Sequence, residues 1–175
     1  MTGSCSFGDR SERRPSTMKV LVIYDSVFGN TEKVARAIAE GLGKKAAVEM
    51  KRPAEVTVDG LAGFDLLVVG SPTRGFRPTE GLAALLKGLP AGYLTGRRVA
   101  AFDTRIDAKD IQQAAFRFMV RTGGYAAKKI ADRLKKAGGV LAAAPEGFIV
   151  EATEGPMRSG ELERAAAWGE MLAAA

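Results

Sequence analysis

Short apolar runs alternate with longer amphipathic stretches along this chain. The apolar runs predict strands at residues 18–24, 47–51, 66–70, 98–102 and 140–144, with 148–150 extending the last strand beyond Pro145. The amphipathic stretches predict helices from Thr31 onward, at 79–89, 108–121 and 125–136, and after an N-cap at Ser159. Gly41 and Gly43 are expected to stop the first helix. Strands that alternate with helices favour a parallel sheet covered on both faces.

The predicted fold is α/β: a doubly wound, three-layer α/β/α sandwich. Right-handed crossovers leave few topologies for a five-stranded parallel sheet, and the strand order 2-1-3-4-5 suits this pattern. In that order a ligand binds at the carboxyl ends of strands 1, 3 and 4. Residues 18–175 are expected to form this single domain. Residues 1–17 are polar, with one aromatic residue, and are expected to be a disordered tail.

The loop after the first strand has the residues of a phosphate site. Residues 25–31 are Asp-Ser-Val-Phe-Gly-Asn-Thr, and the helix follows at once. The N–H groups in the first turn of a helix are unpaired and carry partial positive charge. Gly29 lets the backbone approach a ligand closely, and the side chains of Ser26, Asn30 and Thr31 can add hydrogen bonds. The sequence therefore predicts that this loop binds a phosphate-bearing molecule.

Charge and composition narrow the classes of partner. The net charge is +6 and the pI is about 9.6, which suits nucleic acid, an anionic membrane or an acidic protein. No aromatic residues interleave with the basic ones, so nucleic-acid binding is not expected. No apolar run reaches the roughly 20 residues that span a bilayer, so membrane insertion is not expected either. With no histidine and one cysteine, a zinc or haem site is not expected, and the lone cysteine favours a cytoplasmic location.

Three loops at the expected strand ends resemble those of the flavodoxin family. Residues 26–31 (Ser-Val-Phe-Gly-Asn-Thr) are similar to the family's hydroxyl-rich phosphate loop, Thr/Ser-x-Thr-Gly-x-Thr. Residues 70–78 (Gly-Ser-Pro-Thr-Arg-Gly-Phe-Arg-Pro) resemble its second flavin loop, and residues 102–105 (Phe-Asp-Thr-Arg) its third. The resemblance covers about residues 18–173. It implies non-covalently bound FMN and a role in electron transfer.

The resemblance also implies which residues hold the cofactor. The FMN phosphate would be held by the first loop, namely Ser26, Val27, Phe28, Gly29, Asn30 and Thr31. The isoalloxazine ring would be lined by the second loop, namely Pro72, Thr73, Arg74, Gly75 and Phe76. The pyrimidine side of the ring would be bracketed by Asp103 and Thr104, flanked by Phe102 and Arg105. Gly75 is expected to provide the peptide that responds to the proton on flavin N5.

Two departures from the family keep alternatives open. Phe28 stands where the family has a hydroxyl residue, so a domain that has lost FMN is one alternative. Neither ring loop holds the Trp or Tyr that many flavodoxins stack on the flavin.

The expected function is a carrier that moves electrons between redox partner proteins, and the basic charge favours acidic partners. The alternative is a flavodoxin-like oxidoreductase, such as an NAD(P)H:quinone or protoporphyrinogen-type enzyme. The sequence leaves the oligomeric state open.

Overall fold

The computed structural model describes residues 17–107, 109, 112–115, 117–118 and 124–174. The strands are β1 (Lys19–Tyr24), β2 (Ala47–Lys51), β3 (Leu66–Pro72), β4 (Arg98–Arg105), β5 (Val140–Leu141) and β6 (Glu146–Ile149). The described helices are α1 (Asn30–Gly43), α2 (Glu80–Lys87), α3 (Ala126–Lys136) and α4 (Glu161–Ala174), with 3-10 turns at Pro53–Glu55 and Asp59–Gly63. The expected disordered tail, except for Thr17, and half of the expected helix at 108–121 lie outside the described residues.

The strands form one parallel sheet of order β2-β1-β3-β4-β5, as the sequence predicts. The fifth position is divided between two short strands. β5 pairs with β4 at Arg98 and Val99, whereas β6 pairs with the later part of β4, from Phe102 to Arg105. The predicted strand at 140–144 is therefore shorter than expected, and its expected extension is a separate strand after Pro145.

Each face of the sheet is covered by two helices. On one face α2 and α3 contribute Leu82, Leu86, Ile130 and Leu134 to a buried apolar cluster. On the other face the helices are α1 and α4, and the cluster includes Ile38 and Trp168. Both faces are apolar because a parallel sheet covered by helices on two sides has no solvent face. This arrangement confirms the doubly wound three-layer sandwich.

Gly41 lies inside α1, so the interpretation of this residue as a helix stop was wrong. A Cβ atom placed at Gly41 would overlap the carbonyl oxygen of Ala166 in α4, and a Cβ at Gly169 would overlap the carbonyl oxygen of Ile38 in α1. The two glycines allow the backbones of α1 and α4 to pack in direct contact. Gly43, the other expected stop, is the last residue of α1.

β3 and β4 run further toward the ligand end than predicted. Residues 71–72 and 103–105 were expected in loops but are strand residues. Ser71 pairs with Asp103 and Pro72 with Thr104, whereas Arg105 pairs with Ile149 of β6. Successive strand residues face opposite sides of a sheet. The side chains of these residues therefore point alternately toward the two helical layers. This alternation decides which of them can reach a ligand.

No helix in the described part of the chain is long and apolar enough to cross a membrane.

Candidate functional site

A cleft of about 290 Å³ opens at the carboxyl ends of β1, β3 and β4, where the sequence places the ligand. It brings together residues from all three predicted loops and from one loop that was not predicted. The lining residues are Val27, Phe28, Asn30, Thr31, Pro72, Thr73, Arg74, Gly75, Thr104, Arg105, Ile106, Val150 and Thr153.

The first loop leads into α1 through a position that favours glycine. Gly29 has φ = 83°, in the left-handed region, and the helix begins at Asn30. The Oγ of Ser26 is buried and has no hydrogen-bond partner among the described residues. A buried hydroxyl without a partner costs about 1–3 kcal/mol. An acceptor such as a phosphate oxygen would remove that cost.

Arg52 fixes the shape of this first loop from outside the cleft. Its guanidinium donates to Asp25 Oδ1 at 3.3 Å, to the Ser26 carbonyl at 3.2 Å and to Glu32 Oε2 at 2.9 Å. The same group lies 4.7 Å above the Tyr24 ring. Arg52 was not predicted from the sequence because it follows β2, whose end is not a predicted ligand site.

Thr31 connects the first loop to the third. Its Oγ1 lies 2.8 Å from Thr104 Oγ1, and both side chains are buried. Only one of the two hydroxyl protons is used in the bond between them. The other remains to be donated, so the pair can bind an anion oxygen while staying bonded to each other.

A fourth loop, after β6, completes the cleft. Val150 and Thr153 line the cleft, and the Glu154 carbonyl accepts a 2.9 Å hydrogen bond from Asn30 Nδ2. This loop was not predicted from the sequence, because residues 148–150 were expected only to extend the fifth strand, which is not one of the strands whose ends form the ligand site. Two features of the sequence could have indicated a ligand loop here, namely the hydroxyl of Thr153 and the turn-forming Gly-Pro pair at 155–156.

The second loop ends in a two-residue hairpin. Arg74 and Arg77 exchange both backbone hydrogen bonds, at 2.9 and 3.0 Å. Gly75 and Phe76 between them have φ = 51° and 66°, as a type I′ turn requires. Phe76 is therefore held in a conformation that costs a non-glycine residue about 1–3 kcal/mol. Its carbonyl accepts a 2.5 Å hydrogen bond from Lys129 Nζ, which ties the hairpin to α3.

Phe102 and Asp103 do not line the cleft, although the resemblance included both among the flavin contacts. Phe102 is fully buried and packs edge-on against Phe148 and Trp168. Asp103 is fully buried and faces α3, where its carboxylate accepts bonds from Arg105 Nε at 2.5 Å, Ala127 N at 2.8 Å and Thr73 Oγ1 at 3.1 Å. Burial raises the pKa of Asp103 above its ordinary value, and the attraction of Arg105 offsets part of that rise.

Arg105 is the charged side chain that the third loop presents to the cleft. Asp103 holds its Nε, and its guanidinium lies 3.8 Å above the Tyr125 ring. These two contacts fix the position of the cation. Ser26, Gly29 and Phe76 belong to the loops around the cleft but are not among its lining residues.

The residues present fit the phosphate of a flavin nucleotide. The cleft offers the start of α1 and a spare hydroxyl proton from the Thr31–Thr104 pair, and the loop beside it holds the orphaned buried hydroxyl of Ser26. Phe28 contributes no hydrogen bond there, and its side chain is 45% exposed. The loss of a hydroxyl at this position therefore leaves the other donors in place.

Comparison with known proteins agrees with this fold. The sequence profile of the flavodoxin family matches residues 22–168. This chain belongs to the flavodoxin family. The family implies a flavin cofactor.

A curated relative, named NAD(P)H dehydrogenase (quinone), comes from Cupriavidus metallidurans. It is 36% identical over 121 residues, which cover 55% of this chain and 61% of the relative. The match thus spans less than two thirds of that protein's length.

Two solved flavodoxin structures share the fold. A flavodoxin from the domain Archaea has a TM-score of 0.66 at 22% identity, with 90% of this chain and 97% of that chain covered. Oxidised Flavodoxin 2 from Bacillus cereus has a TM-score of 0.71 at 20% identity, with 89% and 98% covered.

Proposed function

We propose that this protein binds FMN in the cleft and transfers electrons between redox partner proteins. The observation that carries the proposal is the Thr31–Thr104 hydroxyl pair, which lines the cleft at the start of α1 and has one proton left to donate. The first loop also contains the buried, unpartnered hydroxyl of Ser26. Bound FMN supplies a centre that accepts and donates electrons, which no side chain of the cleft can do. The side chains bind it, orient it and set the charge around it.

In this proposal the phosphate is held by Ser26, the α1 N-terminus and the threonine pair. Pro72, Thr73, Arg74 and Gly75 contact the ring from β3 and the hairpin, and Thr104 and Arg105 contact it from β4. Ile106, Val150 and Thr153 extend the contact surface beyond the residues that the sequence predicted. Val27 and Phe28 are 47% and 45% exposed, so they provide an apolar surface beside the cofactor for a partner to contact.

A second candidate is an FMN-dependent quinone oxidoreductase. The 36% identity to a protein named NAD(P)H dehydrogenase (quinone) favours it. Such an enzyme would accept electrons from a reduced nicotinamide nucleotide and pass them to a quinone at the same cleft.

An absorption spectrum of the purified protein, mixed with FMN and passed through gel filtration, tests the cofactor. Flavin bands near ~370 and ~450 nm that elute with the protein are expected. A protein that elutes without them would contradict FMN binding. Steady-state oxidation of NADH or NADPH with benzoquinone then separates the two candidates. The carrier gives no turnover above free FMN, whereas the enzyme does.

A further inference from the structure

A second, larger concavity lies beside the cleft, between α2 and α3. It encloses about 1150 Å³, and we call it the basic groove. Its walls carry six cations from the hairpin and from both helices, namely Arg74, Arg77, Lys87, Lys129, Arg133 and Lys136. Its acids are Asp25, Glu80 and Asp132.

Two of these acids are neutralised from outside the groove. Asp25 pairs with Arg52 at 3.3 Å, and Asp132 pairs with Lys128 at 2.8 Å. Neither Arg52 nor Lys128 lines the groove. The cations of the groove therefore face little opposing charge, and a concave surface of one sign concentrates the field that it produces.

The cations themselves are almost all without partners. Lys129 donates to the Phe76 carbonyl, but no side-chain hydrogen bond or ion pair joins the other five to any described residue. The helix dipole accounts for cations in the last turn of α3, where Arg133 and Lys136 lie. It does not account for Arg74 and Arg77, which come from the hairpin after β3. Cations from separate elements thus lie on one surface, and those of the hairpin are explained neither by ion pairs with described residues nor by a helix dipole.

The basic groove is continuous with the cleft. Val27 and Arg74 line both. At this junction Val27 and Phe28 expose apolar side chains, with the cations on one side of them. An apolar centre beside exposed charged groups is the composition of a protein docking surface. Small-molecule sites are instead mostly apolar and enclose the ligand. Here five of the six cations are exposed on helix and hairpin surfaces, and the sixth, Lys129, is partly exposed.

We propose that the basic groove is the docking surface for an acidic redox partner protein, whose carboxylates contact the groove while its apolar rim contacts Val27 and Phe28. This inference rests on the proposed electron-transfer function and names the partner's chemistry and its place of contact. Docking there brings the partner to the edge of the cleft. Attraction between opposite charges accelerates encounter and weakens as ionic strength rises.

The test uses two double variants with the same change in net charge. Arg133→Glu with Lys136→Glu reverses two cations of the groove. Lys45→Glu with Lys135→Glu reverses two exposed cations outside it, and Lys135 lies on the same helix as the first pair. The probe is a reduced, acidic [2Fe–2S] ferredoxin, and stopped-flow absorbance gives the rate of electron transfer to the FMN-loaded protein. Binding of a fluorescein-labelled peptide of ten glutamates, by anisotropy, gives a readout that needs no FMN.

The groove variant is expected to lower the transfer rate and the peptide affinity at low salt about tenfold or more. The control variant is expected to change both by less than about twofold. Equal losses in the two variants would show an effect of net charge alone and overturn the proposal, as would no loss in the groove variant. Groove-dependent binding of pyrophosphate, without binding of the ferredoxin or the peptide, would assign the groove to a small polyanion. If FMN does not bind but the peptide result holds, the proposed function fails while the acidic docking surface stands.

Discussion

Thr31 and Thr104 lie 73 residues apart in the sequence, yet their hydroxyl oxygens are 2.8 Å apart at the floor of the cleft. The bond joins the first turn of α1 to the end of β4. It therefore fixes the distance between the loop proposed to hold the phosphate and the strand proposed to contact the ring.

A double-mutant cycle with Thr31→Val and Thr104→Val measures this relationship. Each single change leaves one buried hydroxyl unpaired and is expected to lower the unfolding free energy by about 1–2 kcal/mol. The double variant leaves neither hydroxyl and should lose less than the sum of the two. Urea unfolding of the four proteins gives the coupling, and simple additivity would contradict a direct bond.

Ser26→Ala removes the orphaned hydroxyl. The affinity for FMN is expected to fall about tenfold, the value of one hydrogen bond to a charged group. Without FMN the protein should be as stable as the parent or slightly more stable, since the hydroxyl has no partner to lose. Isothermal titration and urea unfolding measure the two effects.

Thr79→Val is the matched control for this change, because Thr79 Oγ1 is also buried without a partner but precedes α2 and lies outside the proposed phosphate loop. It should leave FMN affinity unchanged. A similar loss of affinity in both variants would remove the assignment of Ser26 to the phosphate.

Gly41→Ala is expected to lower the unfolding free energy by about 1–3 kcal/mol, because the added methyl overlaps the Ala166 carbonyl. Gly43→Ala, at the exposed end of the same helix, has open space around it and should be neutral or stabilising by up to about 1 kcal/mol. Thermal or urea unfolding of both variants decides the point. Equal effects would mean that α1 and α4 do not pack as closely as described.

Glu161 provides a pH-dependent contribution to stability. Burial alone would raise its pKa, but hydrogen bonds from Arg164 and from the Ile149 N–H outweigh burial and hold the pKa below the ordinary value of 4.5. A carboxyl whose pKa is lower in the folded state stabilises the fold above its unfolded pKa. That contribution is lost as the pH falls below about 4.5 and through the folded pKa.

Glu161→Gln should therefore cost about 1 kcal/mol at pH 7 and progressively less below pH 4.5. Glu163→Gln, an exposed change on the same helix, should cost little at either pH. Urea unfolding at several pH values from 3 to 7 gives both curves, and a cost of Glu161→Gln that does not depend on pH would contradict the ion pair.

Arg105→Gln tests the charge beside the proposed flavin. A fixed cation favours the electron-rich form of a bound flavin, so its removal should lower the midpoint potential of bound FMN by some tens of millivolts. Arg105→Lys keeps the charge and should restore most of the loss. Potentiometric titration of the three proteins measures this. An unchanged potential in Arg105→Gln would show that the cation does not act on the ring.

The hydrophobic pattern of the sequence determined the architecture. Strands 1, 3 and 4 contain continuous apolar runs at 20–23, 66–69 and 99–102. Their alternation with helices favours a parallel sheet whose carboxyl ends gather the polar loops. The phosphate loop could also be predicted from residues that are neighbours in the chain, because a buried strand, a glycine and the start of a helix follow one another between residues 19 and 31. These features depend on neighbours in the chain, so the sequence alone predicts them.

Contacts between distant segments were decided only by the tertiary structure. The direction of Asp103 depended on how far β4 extends, since one residue of strand reverses the face that a side chain occupies. The role of Gly41 depended on α4, which begins 120 residues later, and Thr153 reached the cleft only through the separate strand β6. The basic groove likewise draws its cations from three elements, whose proximity is a property of packing and leaves no pattern along the chain.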